Sequence, residues 1–251
     1  MAKVPSVLKQ IADRRAADVD DELGKRTLDD LLGDAAQGPL RREVAGRFAR
    51  PGLHLIAEIK RSSPSAGKLA AKRLDVAERA RAYQAGGASM ISVLVEPHWF
   101  GGSIKDLRSA RAATTLPVLA KEFVVDERQL PLLRAAGADA VLLLAALHPK
   151  KRLARLVEVA RSCGLEPLVE AHSAKVLETA LGTSARLIGI NNRNLKTREL
   201  DTALCERLRP EVPDDRIVIA ESVVRDAAMI RRWPALVFAG ALVGEDLMRS
   251  V

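Results

Sequence analysis

Aromatic side chains are scarce in this 251-residue chain, at 3%. Its core must therefore be assembled from Leu, Val, Ile and Ala, and each aromatic that is present stands out. Cysteine is scarcer still: Cys163 and Cys205 amount to neither a disulfide framework nor a zinc cluster. No stretch approaches the roughly 18 uninterrupted apolar residues of a membrane-spanning helix. The first residues, MAKVPSVLKQIADRR, are charged and amphipathic and lack the continuous apolar region of a secretory signal. These absences lead us to expect a reduced, cytoplasmic protein with no membrane partner. Acidic residues are in deficit, 32 Asp+Glu against 40 Lys+Arg, a net charge of +8 that suits an anionic small molecule, a nucleic acid or a membrane surface. Apolar residues, at 48%, are plentiful enough to offset chain entropy in a folded domain. The length suits one or two domains, and α/β barrels reach this size as one.

The first 50 or so residues differ from the rest. Val4, Val7, Leu8 and Ile11 share one helical face; Thr27 precedes an apolar pattern with Asp29 and Asp30 in its first turn, as at a helix start; and Arg41 to Arg50 reads as a basic helix. From Leu53 onward, short apolar runs alternate with amphipathic stretches. The runs are 53–59, 89–95, 117–121, 138–146, 165–171, 185–191, 216–222 and 235–244, with helical patterns such as 76–85, 127–136 and 151–160 between them. Continuous rather than alternating apolarity fits parallel strands covered on both faces, and strands alternating with helices mean βαβ units. A weak repeat, AGGASMISVL (85–94) and AAGADAVLLL (135–144), places glycine where a helix ends before a buried strand. Eight such units point to a (β/α)8 TIM barrel: one domain over 1–251, with an N-terminal helical extension (1–50) and the barrel (51–251). The rival, a doubly wound sheet, would carry a Gly-rich turn after its first strand, and KRSSPSAG has no such pattern.

Polar residues interrupt the apolar runs near their ends. Glu58 and Lys60, two apart, point to one face of the first run; Glu96, Lys121, Glu170, Asn191, Glu221 and Ser222 end or follow others. A lone charge at a strand end is usually a solvated rim residue or half of a structural ion pair, and for Glu96, followed by Pro97, that is the favoured reading. Lysines and glutamates at the same end of several strands are harder to obtain by chance. A lysine can protonate or polarise a carbonyl while a glutamate takes a proton. Hydroxyl groups in SSPS (62–65), and Gly244 before a helix start at Glu245, suit an anion such as phosphate. Trp99, Phe100 and Phe123, near strand ends, belong either to the core or to the wall of an apolar pocket, and their place in so aromatic-poor a chain favours the pocket. His172 is expected to flank a helix start at Ser173, and Lys150, Lys151 and Arg152 to form a solvated face. No metal-ligand spacing is present, so no metal is expected.

Taken together, IAEIKRSSPSAG (56–67), SVLVEPHWFGGS (92–103), LAKEFVVDERQL (119–130), LVEAH (168–172), IGINNRNLKT (188–197), IAES (219–222) and LVGEDLM (242–248) resemble the motifs of the indole-3-glycerol-phosphate synthase family, over essentially the whole chain. The resemblance implies a decarboxylating and dehydrating ring closure of 1-(2-carboxyphenylamino)-1-deoxyribulose 5-phosphate to indole-3-glycerol phosphate in tryptophan biosynthesis, with no cofactor. It implies Lys121 as general acid, Lys60 as a second essential lysine that steers the substrate carboxylate and serves in the dehydration, and Glu170 as general base. Glu58, Asn191, Glu221 and Ser222 would orient these groups. Ser63 and Arg193 would lie near the anionic groups, and Phe100, Phe123 and Leu142 would line the anthranilate pocket. Val223 stands where the family has a glycine whose N–H meets the phosphate, and a Val at positive φ would be strained. Val95 replaces a usual Thr. Gly244 and Glu245 would complete the phosphate side, Glu245 through its backbone.

Two other readings compete: a related phosphate-binding barrel, either an isomerase or a Schiff-base aldolase, and a basic nucleic-acid binder. The last expects clustered Lys/Arg with stacking aromatics, whereas basic residues here are scattered. The favoured partner is an anionic small molecule carrying phosphate and carboxylate, not nucleic acid, bound by a monomer or weak homodimer.

Overall fold

The computed structural model describes residues 6–64, 67–69, 74–193, 200–222 and 238–249. Eight parallel strands close into a barrel: β1 (His54–Ile59), β2 (Met90–Leu94), β3 (Val118–Lys121), β4 (Ala140–Leu144), β5 (Glu166–Ala171), β6 (Leu187–Asn191), β7 (Ile217–Glu221) and β8 (Gly240–Val243). Each pairs with its successor in the chain, and β8 returns to β1. All eight apolar runs therefore became strands, the last through its described part. The fold is a (β/α)8 TIM barrel with additional N-terminal helices.

Side-chain alternation explains why the runs show no polar face. Ala57 and Ile59, Val141 and Leu143, Val169 and Ala171 point outward and join the layer beneath the helices. Ile56, Ala140, Leu142, Leu144 and Leu168, their in-between neighbours, point inward and fill the barrel. The covering helices include α4 (Val76–Ala85), α5 (Ile104–Ala113), α6 (Gln129–Ala135), α7 (Lys150–Ser162), α8 (Ala174–Leu181), α9 (Leu204–Leu208) and α10 (Glu245–Arg249). After α4, α6 and α7, Gly87, Gly137 and Gly164 adopt φ of 86°, 101° and 81°, a left-handed exit that reverses the chain into the next strand.

The N-terminal residues form α1 (Ser6–Leu23), α2 (Leu28–Ala36) and the short α3 (Ala45–Phe48). Thr27 is the N-cap of α2, with its hydroxyl accepting from the Asp30 N–H at 3.2 Å and the Asp30 carboxylate accepting from the Thr27 N–H at 2.8 Å. Leu8 and Ile11 of α1 are buried. Val44, Ala45 and Phe48 join the barrel-interior cluster, and Phe48 packs where a Cβ on Gly240 would touch its ring, beside the start of β8.

One expectation fails. Of the basic stretch Arg41 to Arg50, only Ala45–Phe48 is helical. The chain before it has no regular secondary structure, and its polar groups are bound by distant partners instead of by a helix. The Arg42 N–H donates to Asp139 Oδ1 at 2.7 Å and the Arg42 guanidinium to the Leu116 carbonyl at 2.7 Å, while Arg111 and Arg134 donate to the Leu40 and Pro39 carbonyls. Asp139, fully buried, also accepts from Arg111 at 2.6 Å and from the Val118 N–H at 2.9 Å. No described helix is long and apolar enough to cross a membrane.

Candidate active site

A cavity of about 670 Å³ opens at the C-terminal ends of the strands. In a barrel this end is where chemistry is assembled, because side chains from separate strands converge there on a rigid frame. Glu58, Lys60, Ser63, Phe100, Lys121, Phe123, Leu142, Glu170, Asn191, Arg193, Ser222, Gly244 and Glu245 all lie on its wall. Glu221 sits behind the wall, fully buried and bonded to Lys121. Val223 lies outside the described residues.

The centre of the site is a chain of alternating lysines and glutamates. The Lys60 ammonium lies 2.6 Å from Glu58 Oε1; Glu58 Oε2 lies 3.0 Å from Lys121 Nζ; and Lys121 Nζ lies 3.2 Å from Glu221 Oε2. Two backbone positions make room for it. A Cβ on Gly189 of β6 would collide with Glu221 Oε1, and one on Gly244 would collide with Glu58 Oε1. Gly244 thus has a role that its sequence context did not reveal.

Electrostatics sorts these groups. Burial by itself would raise the Glu58 carboxyl, but Lys121 and Lys60 outweigh it and hold it down at about 2. Burial likewise opposes the charge on Lys121, but the carboxylates of Glu58, Glu221 and Glu170 prevail and keep its ammonium protonated well above the ordinary lysine range. Glu221 goes the other way. Its burial dominates over Lys121, Glu170 and Glu58 add repulsion, and it is pushed up to about 8. Among the described residues its Oε1 has no hydrogen-bond partner.

Glu170 forms no ion pair among the described residues; its Oε1 accepts from Asn191 Nδ2 at 3.0 Å, and Asn191 Oδ1 accepts from the Arg193 N–H at 3.0 Å. Arg193 faces Glu245 at 3.8 Å across the cavity mouth, a side-chain contact that the expectation for Glu245 did not include. Ser222 has φ of 59°, left-handed for a residue with a side chain, a strain of about 1–2 kcal/mol located directly after Glu221. The strain expected at Val223 thus has a counterpart one residue earlier.

The apolar wall holds Phe100 and Phe123, with ring centroids 6.0 Å apart, and Leu142. Trp99 corrects the expectation made for it: it lies off the cavity wall, edge-on to His98 with centroids 5.9 Å apart. Glu96 corrects the reading favoured for it: it is not solvated at the rim but fully buried, its carboxylate accepting from the N–H groups of His98, Trp99 and Phe100 at 2.8, 2.8 and 2.9 Å. Ser173 caps α8 directly after His172, and Lys150, Lys151 and Arg152 are exposed at the start of α7.

Sequence reasoning missed several residues. Val7, Leu8 and Ile11 of α1 wall the cavity; their helical face was legible, but what it packs against was not. Glu122, beside Lys121, is buried and pushed up to about 7 by burial against the pull of Arg15. Asn192, fully buried, donates to the Glu221 carbonyl at 3.0 Å and accepts from the Cys205 N–H at 2.9 Å, fastening β6 to β7 behind the site. Nothing in the sequence marked it except its place after Asn191. Among the described residues no group of three or more His, Cys, Asp or Glu side chains is arranged to hold a metal ion.

Comparison with known proteins agrees with this geometry. The family model for indole-3-glycerol phosphate synthase matches residues 8–251. Curated relatives carrying that name include proteins from Streptomyces griseus, 42% identical over 97% of this chain and 90% of its own length, and Kineococcus radiotolerans, 44% identical over 97% and 88%. A third, from Leifsonia xyli, is 47% identical over 86% of this chain and 83% of its own. Among solved structures, an N-acetylmannosamine-6-phosphate 2-epimerase from Clostridium perfringens aligns with a TM-score of 0.60 over 84% of this chain and 94% of its own at 14% identity, a likeness of fold alone. The chain belongs to the indole-3-glycerol phosphate synthase family.

Proposed function

We propose that this protein closes the indole ring of indole-3-glycerol phosphate from 1-(2-carboxyphenylamino)-1-deoxyribulose 5-phosphate, releasing CO2 and water. The observation that carries the proposal is the Lys121 ammonium, bracketed by Glu58 and Glu221 at the floor of a cavity with an apolar wall and a polar rim. The substrate has the same division: an aromatic ring at one end, a phosphate at the other, and between them a carbonyl that must be protonated. The anthranilate ring rests against Phe100, Phe123 and Leu142. The phosphate lies toward Ser63, Gly244 and Glu245, with Arg193 adding positive charge.

Lys121 donates a proton to the carbonyl oxygen while the ring carbon bearing the carboxylate attacks the carbonyl carbon. The carboxylate, drawn toward Lys60, leaves as CO2, and its bonding electrons restore the aromatic ring. Lys60 then protonates the new hydroxyl, which departs as water as the ring nitrogen's lone pair pushes in. Glu170 takes the proton from the adjacent carbon to complete the indole. Glu58 and Asn191 hold Lys121, Lys60 and Glu170 in register, and Glu221 with Ser222 closes the site beneath them. The raised pKa of Lys121 argues against the aldolase reading, since an amine nucleophile needs the opposite shift.

The test is turnover of this substrate followed by the growth of indole fluorescence. Lys121→Ala is expected to lose at least about 10²-fold in kcat with an unchanged circular-dichroism spectrum. Unimpaired turnover in that variant, or none from the wild type at high enzyme concentration, would overturn the proposal.

A further inference from the structure

Helix α1 carries a charge in the middle of its apolar stripe. Leu8, Ile11, Arg15 and Val19 follow one another at helical spacing on one face and are all buried. A buried guanidinium is costly unless its donors are matched, and Arg15 finds its match in the loop that follows β3. Its Nε donates to Glu122 Oε1 at 3.3 Å and its Nη2 to Glu122 Oε2 at 3.1 Å, a two-point pair with both side chains nearly inaccessible. Glu122 stands between Lys121 and Phe123, and its Oε1 also accepts from the Phe123 N–H at 2.7 Å. The carboxylate that receives α1 therefore also fixes the backbone that aims the Phe123 ring.

The second aromatic loop is fastened to the same helix. Arg15 Nη1 donates to Asp18 Oδ2 at 3.1 Å, and that oxygen lies 2.8 Å from His98 Nε2. His98 and Phe100 are held in one turn by the carboxylate of Glu96, and Phe100 packs on Phe123. Helix α1 itself supplies Val7, Leu8 and Ile11 to the cavity wall. Arg15 is thus the shared node of the three pieces of chain that make the apolar wall.

We propose that the Arg15–Glu122 pair is a positioning pair: it sets the apolar wall of the cavity, and through it the placement of the substrate's aromatic end over Lys121, without touching the substrate. The proposal rests on reading the cavity as the synthase site. It separates from a purely structural tether because the pair governs one end of the cavity only. The phosphate end is built from other segments, with Gly244 after β8 and Glu245 at the start of α10.

The experiment titrates the full-length protein with two probes, 2-aminobenzoate for the aromatic end and inorganic phosphate for the other, and measures kcat and KM in parallel. Glu122→Gln and Arg15→Lys are the variants. The second keeps the buried charge and removes only the fork, so it preserves the test if Glu122→Gln does not fold. We expect 2-aminobenzoate binding to weaken about 10-fold in both variants and KM to rise by a similar factor, with phosphate binding unchanged. Wild-type-like binding of 2-aminobenzoate with only a lowered Tm would overturn the proposal, as would equal weakening of both probes. Absence of product from the wild type would count against the synthase reading instead, and the probe titrations would still report on the pair.

Discussion

Glu221 shows how one residue can serve the site at the expense of the fold. Its carboxyl is fully buried, one oxygen lacks a partner among the described residues, and its pKa is pushed up to about 8. In the unfolded chain it titrates near the ordinary glutamate value, so across the interval between the two the folded form binds a proton that the unfolded form releases. Its contribution is therefore fully present below about pH 4.5 and is lost as pH rises through about 8. Glu221→Gln removes this titration. Between pH 5 and 8 the wild type is expected to lose stability relative to the variant by on the order of 1–3 kcal/mol, read from urea midpoints at each pH, while the variant loses turnover. Parallel stability profiles would refute this. Glu58 has the opposite sign: held down at about 2, its contribution is present above about pH 4.5 and is lost as pH falls toward 2. The positions of both glutamates at strand ends were legible in the sequence. Their opposite pKa shifts were not, because these follow from which lysines lie near each carboxylate and how deeply each is buried.

Among the elements, those with a local physical signature matched their sequence reading. The apolar and polar spacing of 76–85 is α4 to the residue, and Thr27 with Asp30 three residues later closes a reciprocal cap on α2. The cap allows a clean prediction. Thr27→Ala is expected to cost about 1 kcal/mol and to lower Tm by about 2–4 °C in a chain of this size. The value of kcat is expected to stay unchanged, because α2 packs through Leu31 against Leu132, away from the cavity. Calorimetry and the fluorescence assay check the two halves. The failed element, Arg41 to Arg50, had composition but no local reason to be non-helical; its non-helical part is held by Asp139, Leu116 and Arg111, all distant in sequence. The Trp99 expectation failed in the same way, since nearness to a strand end does not decide which side of a loop a ring takes.

At the scale of the whole molecule, the two ends of the barrel are specialised. The C-terminal end holds the chain of Lys60, Glu58, Lys121 and Glu221, whereas the N-terminal end is locked by Asp139, the residue just before β4, against Arg111 and the backbone of Arg42. Removing one partner of a buried pair strands the other. Asp139→Ala is accordingly expected to lose about 3–5 kcal/mol, read as a lowered urea midpoint. Its kcat per folded molecule is expected to be near normal below the transition, because the lock lies at the other end from the chemistry. A large loss of kcat in a fully folded population would contradict this division. The +8 charge takes a more local meaning: Lys60, Lys121 and Arg193 put positive charge on the cavity wall.

The sequence by itself determined the eight strands, the helices with strong spacing or caps, and the strand-end residues that the barrel gathers at one mouth. Each of these follows from local periodicity or from the strand-to-helix alternation of a parallel sheet covered by helices. The tertiary structure decided what depends on meeting across distance. It brought α1 onto the cavity through Arg15 and Glu122, made Gly189 and Gly244 clearances for buried carboxylates, and kept residues 39–44 out of any helix. The physical reason is that packing and electrostatics at these points are set by partners far along the chain, and no local pattern of residues encodes which partner arrives.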